Sequence, residues 1–497
     1  MKMLIGGKKV DSRDNKTIDV INPATGEFLD KVPIATKEDV EEAIAHSKEG
    51  LKEWSAMPLL KREGIIKKFL ALLEENKKTL IPLLARESGK SPLVAIFELN
   101  QIPGLFSGYI ETAKRYDGKI LVPGTELGHD GHTEKDLQLV VYEPVGTVAA
   151  IVPFNAPLLL FSYKVAPALA AGNAVIVKPP TDNPLALIKL SELMLEAGIP
   201  GNTLQVVTGR GSQVGNWLVS DPRVNAVTMT GSTEVGVDIA TILAKRLAPC
   251  CLELGGNDPF IVLDDADIDF AAEQACGTRT ANSGQVCIAP KRFLIQHAVK
   301  EEFTEKLISL VKKVEMGFNP DVEGEMERFM NITDVTNVIV LMGSLINEDA
   351  AKGVEEQVNH TVKQGAKLEL GGKRSGAFYE ATVLTNVTKE MDIAKDMEIF
   401  GPVFPIIGFD TVEEAIEIAN SSKYGLSGNV MTSDWKKGMM VARAVQSGGM
   451  VINGSSMYRN QMQPFGGYKM SGVGREGFIT LGEMVQEKTI IFKDFLD

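Results

Sequence analysis

The sequence predicts an α/β protein built on a parallel sheet covered by helices, and three observations carry that prediction. Between residues 147 and 229 short apolar runs alternate with helical stretches, and continuous apolar strands of this kind are buried on both faces, as in parallel sheets. The chain has 497 residues, more than one small core accommodates, so length predicts two to four domains. A polar, glycine-bearing stretch from 118 to 145 ends in the alternating Leu137-Gln-Leu-Val-Val-Tyr-Glu143, which reads as an extended hairpin leaving the main body.

In chain order, residues 37–91 are helical, because Ile65, Ile66, Phe69, Leu72 and Leu73 recur at three- and four-residue intervals among Lys and Glu. After the hairpin come a strand at 147–152, a helix at 161–170, a strand at 174–177, a helix at 185–197, and strands at 204–207 and 226–229, the last running into another helix. A second α/β region follows from about 256 to 448, with helices near 300–313 and 347–364 and strands at 260–263 and 403–408. The tail 488–492 alternates again, and its expected partner is the early hairpin or another subunit.

A net charge of -13 and a pI near 5.2, with no offsetting Lys/Arg block, exclude a nucleic-acid surface. No apolar run approaches 18 residues and the N-terminal apolar stretch is too short for a signal peptide, so a soluble, cytoplasmic protein with no membrane partner is expected. Cys250, Cys251 and Cys276 read as inert small hydrophobes, and no Cys/His cluster suggests zinc or disulfides. His129 and His132 are spaced to share a metal but have no third ligand nearby, so a polar loop is the expected reading.

The chemistry-bearing segments are few. Asn282-Ser-Gly-Gln-Val-Cys287 puts a cysteine in a glycine-bearing loop, 34 residues after the glutamate of Leu252-Glu253-Leu254-Gly255-Gly256. Leucines flanking Glu253 would raise its pKa toward neutral, as a general base for water requires. Asn155, past the 147–152 strand, stands where α/β sheets place ligands, and its amide suits an oxyanion. Lys178 ends an apolar strand, where a buried ammonium calls for an anionic or hydroxyl-rich partner. Thr230-Gly231-Ser232 leaves a strand and opens a helix, whose first N–H groups suit a pyrophosphate. The literal GxGxxG, Gly472-Val-Gly-Arg-Glu-Gly477, follows no strand and leaves too few residues for a βαβ unit, so it is rejected as a nucleotide fingerprint.

Taken in order with Pro153-Phe154-Asn155, Ala174-Val-Ile-Val-Lys178, Glu398-Ile-Phe400-Gly401-Pro402 and Pro464-Phe-Gly-Gly-Tyr-Lys469, these segments resemble the NAD(P)-dependent aldehyde dehydrogenase superfamily from about Ile21 onward. The resemblance implies three parts: a Rossmann-like cofactor domain (1–117 and 137–255, with 449–472 returning to it), a β oligomerisation arm (118–136 and 473–497), and a catalytic domain (256–448). It implies a homodimer or homotetramer. It also implies that Cys287 attacks an aldehyde, Asn155 holds the oxyanion, and Glu253 activates water against the thioester. Lys178, Gly209, Thr230, Gly231, Ser232, Leu254, Glu398 and Phe400 would bind NADP or NAD. Many NAD-preferring members carry a glutamate where this chain has Thr181, and Asn216 adds no negative charge either, so NADP is expected to be accepted at least as well as NAD.

For the substrate, Arg459 matches a position lining the mouth in the family, and arginine suits a carboxylate, phosphonate, sulfonate or hydroxyl group on a small aldehyde of lactaldehyde, phosphonoacetaldehyde, sulfolactaldehyde or semialdehyde type. Members resembling lactaldehyde and phosphonoacetaldehyde dehydrogenases carry arginine in this context. The plain alternative for Arg459 is a surface ion pair. Ile288-Ala289-Pro290 departs from the Cys-Ala-Asn-Arg pattern of typical succinate-semialdehyde enzymes. Three rival functions are a nitrilase-type Cys-Glu-Lys hydrolase, a broad-specificity aliphatic or aromatic aldehyde dehydrogenase, and a non-catalytic descendant. The first leaves the Glu398 and Gly231–Gly236 motifs unexplained, and the last is expected to have lost Cys287, Glu253 or Asn155.

Overall fold

A computed structural model describes residues 1–123, 134–330 and 341–496; the expectation for His129 and His132 lies outside them. Its largest sheet contains the strands Thr147–Ile151, Ala174–Lys178, Leu204–Val206, Ala226–Thr230 and Cys250–Glu253, all parallel. Numbered in chain order they lie 3-2-1-4-5, so the chain reverses its winding at Thr147–Ile151. That reversal opens a crevice at the carboxyl ends of the first and fourth strands, the ligand position of doubly wound sheets. Asn155 and Thr230 follow or end those strands.

The sheet extends further than the apolar runs alone indicate. Met3–Ile5 joins it antiparallel through Leu4 opposite Val206, and Gly472–Val473 pairs antiparallel with Leu252 and Glu253 at the other edge. Three- and two-residue strands carry too little periodicity to be read locally, since distant partners define them. The first helical region divides into Lys37–Ala56 and Leu59–Ser88, and a third helix, Pro92–Ala113, follows. Pro157 at the first helical position starts the next helix, Pro157–Ala171, four residues before the expected 161.

A seven-stranded second sheet runs in the order Lys367–Leu370, Thr382–Val387, Val403–Phe409, Arg292–Gln296, Pro259–Val262, Asn429–Met431, Val451–Ile452, with only the first strand antiparallel. The third sheet contains Lys119–Leu121, Leu137–Pro144 and Val485–Phe492, with Thr489 opposite Val140. Two expected boundaries therefore move. Leu137–Pro144 belongs with the tail strand because their backbones pair along eight residues, and Val451–Ile452 extends the second sheet beside Asn429–Met431 instead of returning to the first.

Candidate active site

The helix Ile268–Thr280 ends in a tight turn at Ala281–Gly284, where Asn282 (φ 49°) and Ser283 (φ 57°) hold left-handed backbone angles that non-glycine residues adopt at a cost. Side-chain bonds hold the strained turn. Ser283 Oγ donates to the Gly343 carbonyl (2.8 Å), Gln285 Nε2 donates to the Asn282 carbonyl (3.1 Å), and Gln285 Oε1 accepts from the Ile346 N–H (2.9 Å). Gly284 is left-handed too (φ 75°), and any Cβ there would collide with the Gly401 carbonyl. The turn delivers Cys287, half-buried, beside the segment that carries Glu398 and Phe400. Burial pushes its thiol up to about 12, against the opposing positive charges of Lys291 and Arg459.

Asn155 is buried and pinned by its backbone. Its carbonyl accepts from Lys90 Nζ (2.9 Å) and from Asn282 Nδ2 (3.0 Å), which ties it directly to the nucleophile turn. Lys90 pairs with Glu98 at 3.0 Å, both out of solvent, and Glu98 accepts the N–H groups of Leu158 (2.7 Å) and Leu159 (3.2 Å) in the first turn of the Pro157–Ala171 helix. None of these supports was expected from sequence; the signal available was Glu87-Ser-Gly-Lys90, charged residues inside an otherwise buried stretch.

Asn155, Lys178, Thr181, Thr230, Gly231, Ser232, Leu254, Cys287, Glu398 and Phe400 line one cleft of about 440 Å³. Ser232 caps the helix Thr233–Ala244 by accepting from the Val235 N–H (3.4 Å), so the turn 230–232 leads into a helix N-terminus. Lys178 is 4% exposed, and burial pushes its ammonium down to about 8. Its hydrogen-bond partner is the Thr181 hydroxyl at 3.4 Å, and Thr181 in turn donates to the Gly209 carbonyl at 3.4 Å, which places Gly209 one step behind the wall. Among the described residues Lys178 has one long hydroxyl contact and the charge of Asp182 nearby, and beside a helix N-terminus this buried cation fits an anionic, hydroxyl-rich nucleotide. Asp182, missed in the sequence, lines the same cleft and accepts from Asn347 Nδ2 (3.1 Å). Phe400 stands edge-on to Phe154 at 6.0 Å between centroids.

Glu253 ends its strand opposite Thr230 and is 3% exposed, and neither carboxyl oxygen has a hydrogen-bond partner among the described residues. Burial first, then the charge of Glu476, hold its pKa well above the ordinary carboxylate range. Glu476 was not singled out in the sequence because it lies inside the rejected Gly472–Gly477 run. It accepts from Lys164 Nζ (2.8 Å), which also donates to Thr230 Oγ1 (2.6 Å). Lys164 had a readable signal, a lone lysine in the apolar helix Pro157–Ala171.

Arg459, like Glu253, is not among the residues lining this cleft; it is sandwiched between the rings of Tyr163 (3.7 Å) and Phe465 (3.9 Å), with Nη2 donating to Glu476 at 2.8 Å. It is therefore in an ion pair, but an internal one and not the surface pair of the plain alternative. Its charge favours ionisation of both Cys287 and Glu253, so it stands within electrostatic reach of both.

The sequence profile of the aldehyde dehydrogenase family matches residues 9–490. Over 477 residues the chain is 39% identical to succinate-semialdehyde dehydrogenase, mitochondrial, of Arabidopsis thaliana, covering 95% of this chain and 85% of that one. It is 37% identical over 475 residues to 3-sulfolactaldehyde dehydrogenase of Priestia megaterium, covering 95% and 94%. The fold superposes on the crystal structure of betaine aldehyde dehydrogenase from Staphylococcus aureus in complex with NAD+ with a TM-score of 0.91, 33% identity, and coverage of 100% and 95%. The chain belongs to the aldehyde dehydrogenase family. It is an NAD(P)-dependent oxidoreductase of aldehydes.

Proposed function

We propose that the chain oxidises a small aldehyde bearing an anionic or hydroxyl group to its carboxylic acid, with Cys287 as nucleophile, Asn155 as oxyanion donor and Glu253 as general base. The observation that carries this reading is the convergence of Asn155, Cys287, Glu398, Phe400 and the Lys178/Thr181 pair on one cleft. The Cys287 thiol releases its proton to solvent as the sulfur adds to the aldehyde carbon, and Asn155 with the Cys287 N–H stabilises the oxyanion. A nicotinamide cofactor held beside Glu398 and Phe400 would supply the hydride acceptor, and loss of the hydride from the substrate carbon would leave a thioester on Cys287. Glu253 then takes a proton from water, the hydroxide displaces the sulfur, and the acid departs with the thiol restored. Glu398 would hold the nicotinamide ribose hydroxyls and Phe400 would pack near the ring.

Arg459 supports the substrate class. One Nη edge is committed to Glu476, while the remaining donors of the guanidinium fork and the 16% of side chain still exposed leave it a route to the far end of a short substrate. Sulfolactaldehyde and succinate semialdehyde, the substrates in the names of the two relatives, both carry such an anion. Lys178 and Thr181, without a carboxylate at 181, favour acceptance of NADP as well as NAD. The three largest sheets are assigned to cofactor, catalytic and oligomerisation parts, and exposed Ile120, Ile491 and Phe492 on the three-stranded one support a dimer or tetramer. Four free cysteines suit the cytoplasm.

The test is a panel of purified aldehydes with both cofactors, following the near-ultraviolet absorbance of the reduced cofactor. Best turnover on carboxylated, sulfonated, phosphonated or hydroxylated short aldehydes supports the reading, and best turnover on long aliphatic or aromatic aldehydes refutes it. Light scattering checks the assembly, which a monomer at micromolar concentration would refute.

A further inference from the structure

Lys291 is a buried lysine that the reaction as described does not use. It is 2% exposed and folds back on the loop that precedes it: Nζ donates to the carbonyls of Cys287 (2.5 Å), Val286 (3.3 Å) and Ala289 (3.4 Å), and stands 3.4 Å from Glu398 Oε1. Burying an ammonium is costly, and here the cost is offset by backbone dipoles gathered from one short loop. The Val286 carbonyl is gripped twice, accepting also from the Ala289 N–H at 3.1 Å.

That grip has a geometric consequence. Val286 and Cys287 share a planar trans peptide, so the Val286 carbonyl and the Cys287 N–H point in opposite directions. A cation holding the carbonyl on one side sets the direction of the N–H on the other. Among the described residues the Cys287 N–H donates to no protein group, which leaves it free as an oxyanion donor. Glu398, bonded to the Gly256 N–H at 3.1 Å, meets the same ammonium and joins the nucleophile loop to the group expected to hold the ribose.

We propose that Lys291 is a positioning residue: it aims the Cys287 N–H into the cleft and holds the nucleophile in a positive field anchored on Glu398. The proposal rests on the reading of Cys287 as nucleophile. Of the charges that ease ionisation of the thiol, that of Lys291 is the largest.

The experiment compares wild type with Lys291→Met, which keeps chain length without the charge. It uses two readouts: the pH profile of Cys287 alkylation by iodoacetamide without cofactor, and steady-state kinetics with a measured cofactor Kd. We expect the alkylation profile to move up by about half a unit or more, and kcat to fall about tenfold to a hundredfold with aldehyde KM and cofactor Kd changed less than about threefold. Lys291→Arg, which keeps the charge, should leave the alkylation profile near wild type and recover part of kcat. A folded Lys291→Met with an unshifted profile and kcat within about threefold of wild type overturns the proposal. If the methionine variant fails to fold, Lys291→Gln carries the same readouts, and an unshifted profile there overturns it equally. Alkylation needs no aldehyde turnover. A wild type that oxidises no aldehyde while its alkylation profile depends on Lys291 would therefore sink the function and leave the positioning role standing.

Discussion

Arg459 and Glu476 form an ion pair at 2.8 Å, with the glutamate 1% exposed and Lys164 on its other side. The arginine therefore has two tasks to separate, one toward Glu476 and one toward substrate. Arg459→Leu should lower thermal stability, because a buried glutamate loses one of two cations; breaking such a pair costs about 3 kcal/mol, less where the second cation remains. The same variant should raise KM about tenfold or more for anionic aldehydes and spare a plain aliphatic one. Equal loss for every aldehyde would reduce Arg459 to a structural support.

Cys287→Ala should abolish turnover while the cofactor still binds, since the thiol is one wall of the cleft and Lys178, Glu398 and the 230–232 turn are untouched. Glu253→Gln should give one burst of reduced cofactor and then stall at the thioester, because acylation needs no water and deacylation does. Rapid-mixing kinetics that show steady turnover near wild type in the glutamine variant would remove Glu253 from the base role.

A thiol pushed up to about 12 is protonated at neutral pH, so the thiolate fraction grows as pH rises toward that value. Single-turnover acylation at saturating cofactor should therefore climb with pH between about 7 and 9, with no plateau in that window. A flat profile there would mean that the bound cofactor or substrate has already ionised the sulfur.

Lys178, held down to about 8 by burial, loses its charge as pH rises through that value unless an anion holds the proton on it. NADP affinity should accordingly weaken relative to NAD as pH climbs from about 7 to 9, the direction being fixed by loss of a cation facing a phosphate. Thr181→Glu should shift the NADP/NAD ratio toward NAD by about tenfold, the equivalent of about 1.4 kcal/mol. Isothermal titration of both nucleotides checks each, and an unchanged ratio in the glutamate variant would strike Thr181 as the discriminator.

What could be read from the sequence follows from how far each signal reaches along the chain. Cys287, Asn155 and Lys178 stand next to strand ends or glycine turns, so a few neighbouring residues reveal them. Glu476 stands in a glycine run whose literal pattern points elsewhere, and its meaning comes from Lys164, 312 residues away. Arg459 was visible as an unusual charge but not as an internal pair, because only the fold brings Tyr163 and Phe465 to its two faces. In the same way the Met3–Ile5 strand becomes legible only once Leu4 is opposite Val206.

The contact between Gly284 and the Gly401 carbonyl bears on redesign. Because the cysteine turn leans on the Glu398–Phe400 segment with no room for a methyl group, those two stretches would have to be transplanted together or left alone. The Arg459 loop packs on the cysteine loop as well: Met457 and Phe465 share an apolar cluster with Val286, Cys287 and Ile288, and Ser456 Oγ donates to the Ile288 carbonyl at 2.7 Å. An engineer seeking a new aldehyde preference should therefore vary exposed positions such as Tyr458 and Met462 and keep Met457 and Phe465 together with 281–287, since recognition and bond-making share one packed surface.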